Sequence, residues 1–92
     1  MTRRWAARAD TYQTEIVAAL RAAGWRVLHL HRLGQGCPDL LAGKRGANVL
    51  VEIKTPGEKL TPAVRLFFDE WPGPKIIAFS AQDALDKLHV AA

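Results

Sequence analysis

Two apolar runs, Leu40 to Ala42 and Val49 to Ile53, flank the tip Gly43-Lys44-Arg45-Gly46. Glycines framing a polar tip between apolar runs predict a β-hairpin. Pairing the two strands brings Asp39, just ahead of the first, close to Glu52 on the second. Alternation along the second strand puts Glu52 and Lys54 on one face and Val49, Val51 and Ile53 on the other. The apolar set predicts a core face. Leu50 shares the charged face, so that face is expected to be partly covered as well, as for a strand packed on both sides.

Two carboxylates and an ammonium in a half-buried cleft are costly unless something pairs with them, and a divalent metal ion would. Magnesium takes oxygen ligands, keeps several waters, and needs only one or two protein carboxylates beside a substrate phosphate. Asp39 and Glu52 suit that role. Lys54, two residues on and on the same face, is placed to orient or deprotonate a metal-bound water and to steady charge on an attacked phosphate. The pattern is that of metal-assisted phosphodiester hydrolysis.

Pro38-Asp39, followed after twelve residues by Glu52-Ile53-Lys54, resembles the signature of the PD-(D/E)XK nucleases. The continuation Thr55-Pro56-Gly57-Glu58-Lys59-Leu60-Thr61-Pro62 is similar to the virus-type replication-repair (VRR-NUC) branch of that superfamily. The resemblance covers roughly residues 10 to 90. It implies a restriction-endonuclease-like fold, magnesium or manganese on Asp39, Glu52 and the Ile53 carbonyl, and Lys54 at the water. It also implies a first-helix glutamate near the metal, for which Glu15 is the candidate. The reaction would be hydrolysis of DNA with a 3′ oxygen leaving and a 5′ phosphate remaining. The chain departs from the family at Val64, where members carry a glutamine in the first turn of the helix after the signature. Stand-alone members imply a symmetric homodimer acting on branched DNA in repair, recombination or phage replication. A Holliday-junction resolvase would share the chemistry and differ in substrate; a module with a decayed site would keep only DNA binding or assembly.

Charge fits a polyanionic partner. The chain carries a formal net charge of +4, unevenly spread: residues 1–46 hold eight Lys/Arg against three Asp/Glu. Phosphate contacts dominate nucleic-acid affinity, and Arg32, Lys44 and Arg45 are the basic residues nearest the hairpin. In the loop Arg32-Leu33-Gly34-Gln35-Gly36 the glycines allow close backbone approach to a phosphate, with Gln35 able to hydrogen-bond beside it. Cys37 is the sole cysteine, so no internal disulfide forms, and no Cys/His spacing suggests zinc. No run is long enough to span a membrane, which predicts a soluble, intracellular, cytoplasmic chain.

Residues 1–9 read as a short basic tail with Trp5 as its one bulky anchor, and 10–92 as a single domain. Asp10 to Ala23 predicts a helix capped by Asp10 and Gln13, with Tyr12, Ile16, Ala19, Leu20 and Ala23 as its buried stripe. Trp25 to His31 alternates as a strand, with His29 and His31 on one face. Thr61 and Pro62 start a second helix, on which Val64, Phe67, Phe68 and Trp71 form an i, i+3, i+4, i+7 stripe expected to face the core. Trp71-Pro72-Gly73-Pro74 ends it. Lys75 to Phe79 reads as a buried strand, and Ser80 with Asp83 as the capping box of a last helix. The order αβββαβα predicts an α/β fold, a mixed sheet flanked by helices with the last strand joining in parallel.

Overall fold

A computed structural model describes residues 2–30 and 32–91, with the backbone alone for Thr2–Asp10. The elements run α1 (Thr2–Ala22), β1 (Arg26–His29), β2 (Leu40–Lys44), β3 (Ala47–Ile53), α2 (Pro62–Glu70), β4 (Lys75–Ala78) and α3 (Ala81–Ala91). This is the expected order. The four strands lie β1-β2-β3-β4, the first two pairings antiparallel and the last parallel, so the sheet is mixed.

The hairpin is tighter than its glycine frame suggests. Gly43 and Lys44 complete β2, and Arg45 (φ 50°) and Gly46 (φ 84°) make a two-residue connection. Positive φ at both central residues is the type I′ geometry, whose twist matches that of the flanking strands. This turn sets the register: Lys44 faces Ala47 and Leu40 faces Val51, so the next pair along is Asp39 with Glu52.

One face of the sheet carries the core. Val27, Leu40, Ala42, Val49, Val51, Ile76 and Ala78 pack there against Ile16, Val17 and Leu20 of α1 and Ala84 and Leu88 of α3. The two helices lie against each other, α1 on β1 and α3 on β4. Leu20, Leu40 and Leu88 are completely buried, each worth about 1.5–3 kcal/mol of transfer free energy. α3 starts as expected: the Asp83 N–H donates to Ser80 Oγ at 3.0 Å, while Asp83 Oδ2 accepts from Phe79 N at 2.9 Å.

Two expectations are corrected. Asp10 does not cap α1, because the helix begins at Thr2; Ala6, Ala7 and Ala9 are strong helix formers and nothing breaks the run. The segment read as a tail is thus helical in backbone, while the anchoring role of Trp5 and the pairing of His31 lie outside the described residues. The aromatic stripe of α2 also stays out of the core. Val64 is the one buried residue of α2, Phe67 and Phe68 are half-buried, and Trp71 is 43% exposed. Phe67 stacks on Trp71 instead, with centroids 5.3 Å apart and planes 13° apart. Val64 lies outside the buried cluster that the sheet forms with α1 and α3, and the α2 aromatics cover one another. No described helix is long and apolar enough to cross a membrane.

Candidate active site

Glu52 and Lys54 are the only charged side chains buried among the described residues, at 5% and 8% exposure. Both descend from the alternation of β3, which aims Leu50, Glu52 and Lys54 away from the α1–α3 core. Asp39 comes to them by the hairpin register and is fixed by a hydrogen bond from Ile53 N to its Oδ2, 2.8 Å long. Here a carboxylate continues the ladder where β2 stops. The N–H and C=O of one strand residue point to the same side, so the Ile53 carbonyl also faces Asp39.

Lys54 is clamped. Its Nζ lies 3.4 Å from Glu52 Oε2 and 3.4 Å from Glu58 Oε2. Glu58 reaches it because Thr55-Pro56-Gly57-Glu58 folds back: Glu58 N donates to Thr55 O at 3.0 Å, and Gly57 has φ 86°. Proline at the second position and a positive-φ glycine at the third make a type II turn. The Glu58 carboxylate then accepts from Thr55 N (3.0 Å) and Thr55 Oγ1 (3.1 Å), which locks the turn onto the lysine. Burial alone would raise the Glu58 pKa, but the Thr55 main-chain hydrogen bond and the Lys54 charge outweigh it and hold the group below its usual range.

These residues line a cleft of about 170 Å³ together with Tyr12, Gln13, Ile53 and Thr55. Burial, and then the neighbouring Asp39 carboxylate, push the Glu52 pKa up to about 7, against the opposing pull of Lys54. A site that resists holding its own charge calls for a cation. With three carboxylates and one ammonium ionised, the cleft carries a charge of −2, which one divalent ion balances. Among the described residues no group of three or more His, Cys, Asp and Glu is arranged to cage an ion. Two carboxylates and a carbonyl with open positions suit magnesium or manganese, which retain water ligands, rather than a closed zinc site. The residues present fit such an ion.

The structure thus brings Asp39, Glu52, Ile53 and Lys54 together. It does not add Glu15, which is exposed on α1 and is not among the residues lining the cleft. Gln13 and Tyr12 face the cleft instead, and Gln13 Nε2 lies 3.4 Å from His29 Nδ1. Helical geometry explains the shift: Glu15 sits two positions, about 200°, from Gln13. Glu58 was missed by sequence reasoning, although the Thr-Pro-Gly turn signal places it four residues after Lys54. Burial raises the Cys37 thiol pKa and the charges of Glu52 and Asp39 add to the rise, which disfavours its thiolate.

The expected nucleic-acid contacts divide. Arg32 and Gln35 are exposed in the loop that leads into Asp39. Gly36 serves a packing need there, since a Cβ on it would lie 2.3 Å from the Ala63 carbonyl oxygen at the start of α2. Lys44 and Arg45 sit at the other end of β2, five and six residues from Asp39, or about 17–20 Å along an extended strand. Lys44 moreover donates to Ala23 O at 2.6 Å, closing the C-terminal end of α1. No family model, curated protein or solved structure matches the chain.

Proposed function

We propose that this protein is a metal-dependent deoxyribonuclease that hydrolyses phosphodiester bonds in DNA at the cleft of Asp39, Glu52 and Lys54. The observation that carries this reading is the buried charge of β3. Glu52 and Lys54 are removed from water beside a second carboxylate in a small domain that could have used apolar residues there, and such burial is expensive without a function. Asp39, Glu52 and the Ile53 carbonyl would hold magnesium or manganese. The ion, when bound, would polarise a phosphate oxygen and acidify a water.

The remaining work falls to the chain. Lys54, fixed by Glu52 and Glu58, is positioned to orient the attacking water and to offset charge gathering on the phosphate oxygens. Water oxygen bonds to phosphorus as the bond to the 3′ oxygen breaks, leaving a 5′ phosphate. Gln13 is a polar contact at the cleft wall, in the place that Glu15 was expected to take. The described elements include no groove-reading motif, so the domain would select DNA by shape, as a VRR-NUC-type endonuclease of repair, recombination or phage replication acting in the cytoplasm. A two-fold homodimer would present two sites to two strands of a branched substrate.

A labelled panel of single-stranded, duplex, flap and four-way-junction DNA tests the reading. Magnesium-dependent cleavage of a branched form is expected, with 5′-phosphate ends. Preference for the four-way junction would make the enzyme a resolvase. Metal-independent binding with no cleavage of any form would reduce it to a binding module.

A further inference from the structure

The end of the sheet away from the carboxylates has no part in the chemistry above, yet it gathers four of the eight basic residues of the N-terminal half. Three adjoining clefts open there, of about 420, 650 and 610 Å³. Arg21, Arg26, Lys44 and Arg45 line them, and no Asp or Glu is among their described lining residues. Arg21, Arg26 and Arg45 are exposed, and Lys44 is held at the base, 5.8 Å over the Trp25 ring.

Topology fixes the cluster relative to the carboxylates. Arg26 on β1 pairs with Gly43 on β2, and Gly43 pairs with Asn48 on β3, so these three form one cross-strand row. The row lies on the same outer face as Asp39 and Glu52, four residues away along β2, or about 13 Å. Arg45 lies about 20 Å away by the same rise. Between that row and the carboxylates the same face carries Leu28, Leu41 and Leu50, while the Asn48 side chain lies over Gly43, where a Cβ would come within 3.1 Å of its Oδ1. Four cations with no acid among them, set on the end of α1, on β1 and on the hairpin, suit a chain of phosphates rather than a single small anion.

We infer that the Arg21, Arg26, Lys44 and Arg45 end of the sheet is a second nucleic-acid site, which grips the phosphate backbone of a duplex arm while the Asp39–Glu52 cleft holds the scissile phosphate. The choice of nucleic acid as the polyanion rests on the nuclease reading. At 3.4 Å per base pair the two sites are about four to six steps apart on one arm. The grip is independent of sequence and of metal.

The test measures binding of a 30-base-pair fluorescent duplex in chelator, from 50 to 200 mM KCl, by wild type and by Arg26→Thr/Arg45→Asn. Threonine suits a strand and asparagine tolerates the positive φ of Arg45, so the double variant keeps its fold, as circular dichroism would verify. The slope of log K against log salt should become shallower by about two, since each lost phosphate contact removes about 0.9. Arg26→Lys/Arg45→Lys should retain the slope, and Lys59→Ser/Arg65→Ala, an equal charge loss elsewhere, should leave it unchanged. An unaltered slope in the first double variant overturns the inference, as does an equal loss in the Lys59/Arg65 control. Binding to phosphatidylserine vesicles that the double variant loses, with no change in the DNA slope, would overturn it in favour of a membrane. Because no cleavage is involved, these results stand or fall separately from the catalytic reading.

Discussion

Replacing Glu52 with glutamine should make the chelated protein more stable above neutral pH while removing its stabilisation by metal. The folded-state pKa of Glu52 stands near 7, against an ordinary value of 4.5. Below pH 4.5 the group is protonated in both folded and unfolded chains and costs nothing. Between 4.5 and 7 the unfolded chain releases the proton while the folded one keeps it, so stability falls as pH rises. Above 7 the loss is complete. A gap of two to three units at 1.36 kcal/mol each sets its ceiling at about 3 kcal/mol. Glutamine keeps the shape and never ionises, though Lys54 loses one of its two carboxylate partners. The expected net gain at pH 8 is therefore about 1–3 kcal/mol, or roughly 4–24 °C in Tm for a chain of this size. At pH 5 the two proteins should differ by well under 1 kcal/mol. Urea melts in chelator at pH 5 and 8 read this directly. Adding magnesium should then raise the stability of wild type and leave the variant unmoved. If glutamine is equally destabilising at both pH values, the strained-carboxylate argument is wrong.

Further outcomes follow from neighbouring elements. Gly57→Ala forces an L side chain to φ 86° and should cost about 1–2 kcal/mol in a denaturant melt, with a several-fold slower cleavage as Glu58 leaves Lys54; Gly57→Asn should be milder on both counts. Val64→Gln removes the only buried anchor of α2, so amide exchange across Pro62–Glu70 should accelerate at least tenfold while exchange in β3 stays unchanged. The hydrogen bond from Lys87, above all, holds the Asp83 carboxyl below its usual range. Its contribution to α3 is therefore present above the ordinary aspartate pKa and lost as pH falls through the depressed one. Asp83→Ala should cost about 1 kcal/mol at pH 7 and progressively less as the pH falls below the ordinary aspartate value, as read by thermal melts.

The hairpin, its register and the meeting of Asp39 with Glu52 are legible in the sequence because local signals agree: alternation, a glycine tip and a fixed period of two. Thr61-Pro62 and Ser80 with Asp83 mark helix starts for the same reason, since capping is a local interaction. What escapes depends on tertiary placement. The stripe of Val64, Phe67, Phe68 and Trp71 has helical periodicity whether or not an apolar surface awaits it, and here only Val64 finds one. Glu15 against Gln13 is a question of helix rotation over the sheet, which alanines on several faces leave undetermined. Lys44 reads as a contact beside the carboxylates until the hairpin register puts it at the far end of β2, where it also donates to Ala23 O at 2.6 Å. Asp10 has the composition of a cap, but nothing before it stops the helix.

Metal-dependent hydrolysis at Asp39 is tested most directly by nicking of supercoiled circular DNA by wild type and Asp39→Ala, each with magnesium, manganese or chelator, with DNA binding followed in parallel. Wild type should nick only with metal, Asp39→Ala should be at least a hundredfold slower, and binding in chelator should be unchanged. Nicking that survives in Asp39→Ala, or persists in chelator, would contradict that mechanism.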